Sequence, residues 1–274
     1  MRKKAAVVSA GWMGDAIACS AAATSLFESG YETTLFIRWP QLKPIFDNDS
    51  RFVTKLYGRF LTYKVQRPLI GAMYDVVVRE PKRWSYEEPF TSEIRRVAGC
   101  EPVPDYSLML SSKQIEMTRV SFLKSRPVIA VARDIYKRAY GRDVAGLIDE
   151  LSGIADIQWV GLNPDRDSKS GRSSSLVRDA SFIVNADIFV GPEGGLLWLA
   201  AGLGTPCVYF TEHIVEIAKN MRIGNPCIAL GSKNHFLRSS HIDLPAYCSN
   251  DFVVQTIATL FQKASAPDNR KICK

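Results

Sequence analysis

The chain has 274 residues, of which 46% are hydrophobic and 23% charged, and its formal net charge is +7. This composition predicts a globular protein with one large domain or two of medium size. No apolar run reaches the roughly 18 residues that a membrane span needs, and the basic N-terminus precedes an apolar run too short for a signal peptide. The six cysteines are scattered without Cys-x-x-Cys spacing. We therefore expect reduced thiols, no zinc site and a cytoplasmic location.

Positive charge concentrates between Arg51 and Arg83, where eight Lys or Arg residues stand against two acids. Aromatic residues such as Phe52, Tyr57 and Tyr63 alternate with these cations. A basic and aromatic surface of this kind fits a polyanion, whether a phosphorylated glycan, a membrane surface or a nucleic acid. A solvated basic face with its aromatics turned inward fits the pattern equally well. The residues alone leave both interpretations open.

The chain begins with a β–α–β pattern. Lys4–Ala10 predicts a strand, and Asp15–Ser29 predicts a helix of small and apolar residues that stops at Gly30. A second strand is predicted over Thr33–Ile37. The glycine turn Gly11–Asp15 thus lies at the carboxyl end of the first strand, where doubly wound folds bind ligands. It lacks the third glycine of the dinucleotide fingerprint, which argues against a nicotinamide-dependent oxidoreductase.

The rest of the first half continues the alternation. Further predicted elements are a short helix at Pro40–Phe46, strands at Phe52–Leu56, Phe60–Val65 and Tyr74–Val78, and a helix at Thr91–Ala98. Ser111–Arg126 is polar and lacks core periodicity, so the domain boundary is placed there. The predicted domains are residues 1–120 and 121–264, followed by a flexible tail at 265–274.

The second half repeats the alternation. Its predicted strands are Val128–Ala132, Ile157–Val160, Ile188–Val190, Cys207–Phe210 and Cys227–Leu230; its helices are Val144–Leu151, Leu176–Asn185, Leu196–Leu203, Glu212–Asn220 and Asp251–Lys263. The segment containing His235 and His241 is predicted as a loop. The helix that opens on Gly194-Gly195 directs its N–H groups at whatever lies above the turn, which favours an anion. The fold class is therefore α/β, with two Rossmann-like parallel-sheet domains facing across a cleft.

Two stretches together resemble the signatures of heptosyltransferase-like enzymes, glycosyltransferase family 9. Gly11-x-x-Gly14-Asp15 is similar to the family's Gly-x-x-Gly-Asp opening. Ala186–Pro206 resembles its second signature, Gly-x-Asp-Ser-Gly-x-x-His-Leu-Ala-Ala-x-x-Gly-Thr-Pro, in order and spacing. Here Glu193, Gly194 and Trp198 replace the family's Asp, Ser and His, respectively. The resemblance covers most of the chain.

The resemblance implies a GT-B fold and an inverting glycosyltransferase. Such an enzyme moves a hexosyl, heptosyl or pentosyl group from a nucleoside-diphosphate sugar to an acceptor hydroxyl. The Asp-x-Asp metal motif belongs to the other major glycosyltransferase class, so we expect metal independence and no cofactor. A non-catalytic nucleotide-sugar or nucleic-acid binding module that kept the fold is the alternative, motivated by the departures at Glu193, Gly194 and Trp198.

The donor's diphosphate requires cations and backbone N–H groups when no metal is used. The predicted donor-binding residues are Gly14, Arg133, Lys137, Glu193, Gly194, Gly195 and Leu196. Arg133 stands one residue beyond its strand, where ligand-facing residues gather, and a plain surface charge is the alternative. Glu193 either holds a sugar hydroxyl or stabilises the helix dipole. Trp198 is predicted to pack in the core.

Asp15 is the predicted general base, with a plain helix cap as the alternative. Trp12 is expected to line the cleft, and the cations Arg79, Lys82 and Arg83 to bind an anionic acceptor. That acceptor is either a lipid-linked envelope glycan, such as a lipopolysaccharide core, or a hydroxymethylated base in phage-type DNA. A glycan acceptor would place the protein at the inner face of the membrane. The nucleotide base, the sugar and the oligomeric state remain open.

Overall fold

The structure, a computed structural model, describes residues 2–57, 63–79, 91–99, 107–119, 126–136, 141–161, 176–192, 194–211, 241–245 and 248–265. These stretches form one sheet of four strands and one of five, and every neighbouring pair of strands is parallel. The α/β class predicted from the alternation of strands and helices is therefore confirmed. The domain limits at 120 and 264 stay predictions.

The first sheet has the order β3-β2-β1-β4. Its strands are β1 (Lys4–Ser9), β2 (Glu32–Ile37), β3 (Val53–Leu56) and β4 (Val76–Arg79). Its helices are α1 (Met13–Glu28), α2 (Lys43–Phe46, after a 3-10 turn at Pro40–Leu42), α3 (Tyr63–Met73) and α4 (Thr91–Ala98). The strand order reverses between β1 and β4, which is the kind of switch point where open α/β sheets bind ligands.

The second sheet has the order β6-β5-β7-β8-β9. Its strands are β5 (Val128–Ala132), β6 (Asp156–Val160), β7 (Ile188–Pro192), β8 (Cys207–Thr211) and β9 (Ile242–Pro245). The helices are α5 (Ser112–Arg119), a 3-10 turn at Arg133–Tyr136, α6 (Val144–Ile154), α7 (Leu176–Asn185), α8 (Gly195–Gly202) and α9 (Asn250–Ser265). Here the switch point lies between β5 and β7.

Helix α1 explains how the two sheets share one core. Its residues from Ala16 to Leu26 are all buried, so the helix has no polar stripe of the sort that a surface helix shows. One hydrophobic cluster contains Leu35 and Ile37 of the first sheet, Ile17 of α1, and Phe189 and Tyr209 of the second sheet. The small and apolar sequence of α1 therefore lets it pack between the two halves.

Helix α5 connects the halves by hydrogen bonds. The Gln114 side chain donates to the carbonyl of Pro44 (3.0 Å) and accepts from Asn48, both in the first half. On the other side, the Ile115 carbonyl accepts from Asn185 Nδ2 of α7 (2.7 Å). The segment predicted to hold the domain boundary thus forms hydrogen bonds to both halves.

Two predicted elements differ from the structure. The strand over Phe60–Val65 is wrong, since Tyr63–Val65 lie in α3. The β-prone residues there predicted a strand locally. A helix forms instead because parallel strands β3 and β4 in one sheet need a crossover connection, which is usually a helix. Strand β9 follows His241 directly, in a segment predicted as a loop. It is a four-residue edge strand. The predicted elements Glu212–Asn220 and Cys227–Leu230 lie outside the described residues.

Candidate active site

The turn between β1 and α1 is closed by an aspartate. Asp15 is the third residue of α1, and its Oδ2 accepts a hydrogen bond from the N–H of Trp12, the N-cap, at 2.7 Å. This is the half of a capping box that the third helical residue supplies. A side chain at Gly11 would overlap the Asp15 carboxylate, so glycine is the residue that leaves room for it. The structure thus shows Asp15 in the capping contact.

The same carboxylate is partly withdrawn from water. Burial raises the pKa of Asp15 above its ordinary value of 3.8, although hydrogen bonds from the backbone N–H groups of Trp12 and Asp15 act in the opposite direction. A raised pKa makes a carboxylate a stronger base when it is ionised. Capping and proton acceptance therefore coexist chemically at Asp15.

A pair of stacked tryptophan side chains flanks this turn. The Trp12 and Trp39 rings are stacked, with centroids 4.6 Å apart and an interplanar angle of 13°. Trp39 Nε1 donates to the Gly11 carbonyl at 2.9 Å, and the Arg38 guanidinium lies 5.1 Å from the Trp39 ring centroid. Trp12 remains 69% exposed. That Trp12 lines a cleft stays a prediction, and Trp39 was not predicted from the sequence.

The second glycine turn lies directly against the first. Gly194 is the N-cap of α8 and carries no side chain that could cap the helix. A Cβ added at Gly195 would lie 2.9 Å from Met13 Cε, and one added at Gly14 would lie 3.1 Å from Trp198 Cδ1. The glycines of both predicted signatures therefore let the N-termini of α1 and α8 approach closely.

The Trp198 side chain packs in the core beneath the contact between α1 and α8. It is 1% exposed and belongs to the shared core, as the sequence predicted. The structure also gives Gly14 a packing role against that ring; its contact with a donor stays a prediction.

Arg133 reaches the same region from β5. It directly follows that strand and is half-buried. Gly161, after β6, has φ +94, a backbone conformation that favours glycine. A Cβ there would lie 2.9 Å from Leu196 Cδ1 and 3.9 Å from the Arg133 backbone nitrogen. The loops after β5, β6 and β7 thus meet, and they bring together the predicted donor residues Arg133 and Leu196.

A second aromatic cluster surrounds Arg133. Its guanidinium lies 5.7 Å from the Trp159 ring centroid, and Tyr136 stacks on Trp159 with centroids 5.8 Å apart. Tyr136 is 55% exposed. These two aromatic residues were not predicted from the sequence. Their position could have identified them, because each lies close to the carboxyl end of a parallel strand, as Trp39 does.

The predicted basic acceptor surface is only partly described. Arg79 ends β4, is half-buried, and pairs in register with Val8 of β1, one residue before that strand ends. It therefore lies near the Asp15 turn. Lys82, Arg83, Lys137 and Glu193 fall outside the described residues.

Arg51 corrects the interpretation of the basic segment. Its side chain is buried and donates to Asp49 from Nε (2.9 Å) and from Nη2 (2.7 Å). Nη2 also donates to the Ser107 carbonyl at 3.0 Å. Phe52 and Tyr57 are buried as well. These members of the segment form structure, because Asp49, just before the segment, neutralises Arg51.

Among the described residues, no group of three or more His, Cys, Asp or Glu side chains could hold a metal ion. None of the described helices combines the length and the apolar character needed to cross a bilayer.

Comparison with solved structures supports the fold. No protein-family model and no curated protein matches the sequence. A glycosyl transferase family 9 structure from Veillonella parvula superposes with a TM-score of 0.66 at 11% identity, covering 95% of this chain and 97% of that one. E. coli ADP-heptose LPS heptosyltransferase II gives 0.59 at 13% identity, with 96% and 100% covered.

E. coli heptosyltransferase WaaC with ADP-2-deoxy-2-fluoro heptose gives a TM-score of 0.54 at 14% identity, covering 93% of this chain and 99% of that chain. Identities this low show the fold. The chain accordingly has the heptosyltransferase-like fold of the family 9 glycosyltransferase structures, as its two glycine signatures predicted.

Proposed function

We propose that the protein is an inverting, metal-independent glycosyltransferase that uses a nucleoside-diphosphate sugar. The observation that carries this proposal is the direct contact between the Asp15 turn and the N-terminus of α8, through Met13, Gly14 and Gly195. The two turns lie at the switch points of the two sheets, where ligands bind in folds of this type. The fold shared with glycosyltransferase structures supports the same chemistry.

The donor's diphosphate would lie at the start of α8. Backbone N–H groups at a helix N-terminus favour negative charge, and the Arg133 backbone lies close to Gly161, which packs against Leu196 of α8. Lys137 and Glu193 complete the proposed donor site. As the bond between the anomeric carbon and the diphosphate oxygen breaks, the leaving group gains negative charge that the helix N–H groups, Arg133 and Lys137 would stabilise, while Glu193 would hold a sugar hydroxyl.

Asp15 would accept the proton of the acceptor hydroxyl. The acceptor oxygen attacks the anomeric carbon from the face opposite the diphosphate, so the configuration inverts and the proton ends on the Asp15 carboxylate. The raised pKa of Asp15 supports this role. Trp12, Arg79, Lys82 and Arg83 would bind the acceptor, an anionic glycan or a hydroxymethylated base in DNA.

A non-catalytic binding module is the second candidate. The hydrogen bond from Trp12 N–H to Asp15 favours it, because a structural cap explains that aspartate without any chemistry. Such a module would bind a nucleotide sugar and transfer nothing.

The test is a screen of nucleoside-diphosphate sugars for protection against thermal unfolding, followed by transfer assays. A ligand at about 100 times its dissociation constant stabilises the folded state by about 2.7 kcal/mol. Hits are incubated with oligosaccharide acceptors and with hydroxymethylated DNA, and products are identified by mass spectrometry. Donor binding without transfer or donor hydrolysis selects the non-catalytic module, and protection by no nucleotide sugar contradicts both candidates.

A further inference from the structure

The exposed face of Trp12 is the feature that the proposed donor chemistry does not use. Trp12 is 69% exposed although large aromatic side chains usually lose most of their surface on folding. Trp39 covers one face of its ring in the stacked pair, so the exposure belongs to the opposite face and the edge. A flat apolar surface therefore faces outward.

This surface is held in place by the turn that carries Asp15. The Trp39 indole is bonded to the Gly11 carbonyl, and the Trp12 backbone N–H is bonded to the Asp15 carboxylate. The two hydrogen bonds fix the ring stack and the carboxylate relative to each other. An acceptor that lies on Trp12 is consequently presented beside the proposed base.

We propose that Trp12 is a stacking platform for a single sugar ring of the acceptor, and that Trp39 positions it. The proposal rests on the proposed glycosyl transfer and narrows its acceptor to a saccharide. One face of a pyranose ring presents C–H groups that pack on an aromatic face, while its hydroxyls reach the adjacent carboxylate. The combination of an open indole face and a carboxylate on one turn suits that two-sided chemistry.

A base in DNA fits the same surface less well. The base would have to leave its stack, and the flanking phosphates would need a track of cations. Among the described residues, Arg38 contacts the Trp12–Trp39 stack and Arg79 lies near the Asp15 turn, whereas Arg51 is neutralised by Asp49. The Asp15 carboxylate adds negative charge where phosphates would approach.

The test follows indole N–H signals of the full-length protein by NMR. The five tryptophans give five such signals, and Trp12→Phe and Trp39→Phe assign the two of interest. The probes are methyl glycosides of glucose, galactose, mannose and glucuronic acid, and a single-stranded oligodeoxynucleotide containing hydroxymethylcytosine. We expect a glycoside to shift the Trp12 signal saturably while the signal of buried Trp198 stays unchanged.

Substitutions at Trp12 and Trp39 distinguish aromatic stacking from the effect of side-chain size. Trp12→Ala and Trp12→Leu are expected to weaken binding of the responding glycoside about fivefold to tenfold, measured on the glycoside signals by saturation transfer. Trp12→Phe retains most of the affinity. Trp39→Phe keeps a ring but loses the donor to Gly11, and gives an intermediate loss. The control is Phe252→Ala, which removes another exposed aromatic, 51% exposed on α9, and leaves binding unchanged.

Two results would overturn the inference: a Trp12 signal that responds to the oligonucleotide and to no glycoside, or one that responds to no probe. Calorimetry with a nucleoside diphosphate separates this failure from failure of the proposed function. Trp12→Ala should bind the nucleotide as the natural sequence does. If the natural sequence binds no nucleotide, the proposed donor chemistry fails while the glycoside titration still decides the role of Trp12.

Discussion

The N-termini of α1 and α8 lie against each other, but the two helices are capped differently. Both helices follow a parallel strand through a glycine turn at a switch point of their sheet. At α1 the Asp15 side chain closes the turn by accepting from the N-cap N–H. At α8 the N-cap is Gly194, which has no side chain to offer. The first turn brings a negative charge to its own N-terminus, and the second is suited to receive one from a ligand.

The difference implies a division of labour. A carboxylate at the α1 turn repels a diphosphate and suits a proton acceptor, whereas a glycine N-cap suits an anion. In the proposed reaction, the close approach of Met13 to Gly195 would bring the base and the leaving group together. Experiments that remove one feature at a time test whether the two turns have these different roles.

The largest effect is expected from Asp15→Asn. The amide oxygen can still accept from the Trp12 N–H, so the fold is preserved, but the amide is not a base. The proposed transfer rate should fall by about 10²–10⁴-fold with unchanged donor affinity, measured by steady-state kinetics and calorimetry.

Asp143→Ala is the matched control for capping. Asp143 is the N-cap of α6 and accepts from Gly146 N–H at 2.9 Å. Its loss should cost about 1 kcal/mol of unfolding free energy without changing transfer. Undiminished turnover in Asp15→Asn would show that Asp15 is only a helix cap. The two turns would then not differ in the way proposed.

The next effect is on the packing that holds the two turns together. Trp198 is fully buried beneath Gly14, so Trp198→Ala should lower the unfolding free energy by about 3–5 kcal/mol. Urea unfolding followed by circular dichroism measures this loss. Trp198→Phe, which leaves a smaller cavity, should lose less. A loss below about 1 kcal/mol in the alanine variant would show that the ring does not support the contact between α1 and α8.

A smaller effect is expected on the anion side. Arg133→Ala should weaken nucleoside-diphosphate binding about 10- to 100-fold, because a hydrogen bond to a charged group is lost. Arg126 is the matched control, since it precedes β5 as Arg133 follows it, and its exposed side chain pairs with Asp156 (3.6 Å) and donates to the Ser152 carbonyl (2.8 Å). Calorimetric titration should show Arg126→Ala unchanged. Equal losses in both variants would point to general surface charge.

The smallest effect is the pH dependence that Asp15 confers. Because its pKa is raised in the folded state, stability should fall as pH rises from 3.8, the ordinary value, through the raised one, and then level off. Transfer should show the opposite trend and be lost as pH falls through the raised pKa. Unfolding and kinetics of Asp15→Asn and the natural sequence, compared across acidic pH, measure both. An acid limb that persists in the variant would assign it to another group.

Local patterns predicted much of the fold for physical reasons. Strands β1, β5 and β7 are buried and largely apolar, β1 and β7 run into glycine turns, and β2 is rich in β-prone residues, so their composition alone indicates them. The edge strand β9 and helix α3 were missed or misplaced, because partners distant in sequence determine them. Arg51 shows the same limit for charge, since its burial and its hydrogen bond to the Ser107 carbonyl, 56 residues away, depend on the fold.

The sequence by itself determined the two parallel sheets, the two glycine turns and the residue types at them, because strand–turn–helix patterns are local. Only the tertiary structure decided that the turns meet at Met13 and Gly195, that Trp198 supports them from the core, and that Trp12 lies on Trp39 beside Asp15. These contacts join residues far apart in the chain, and it is the packing of the two halves around α1 that brings them together.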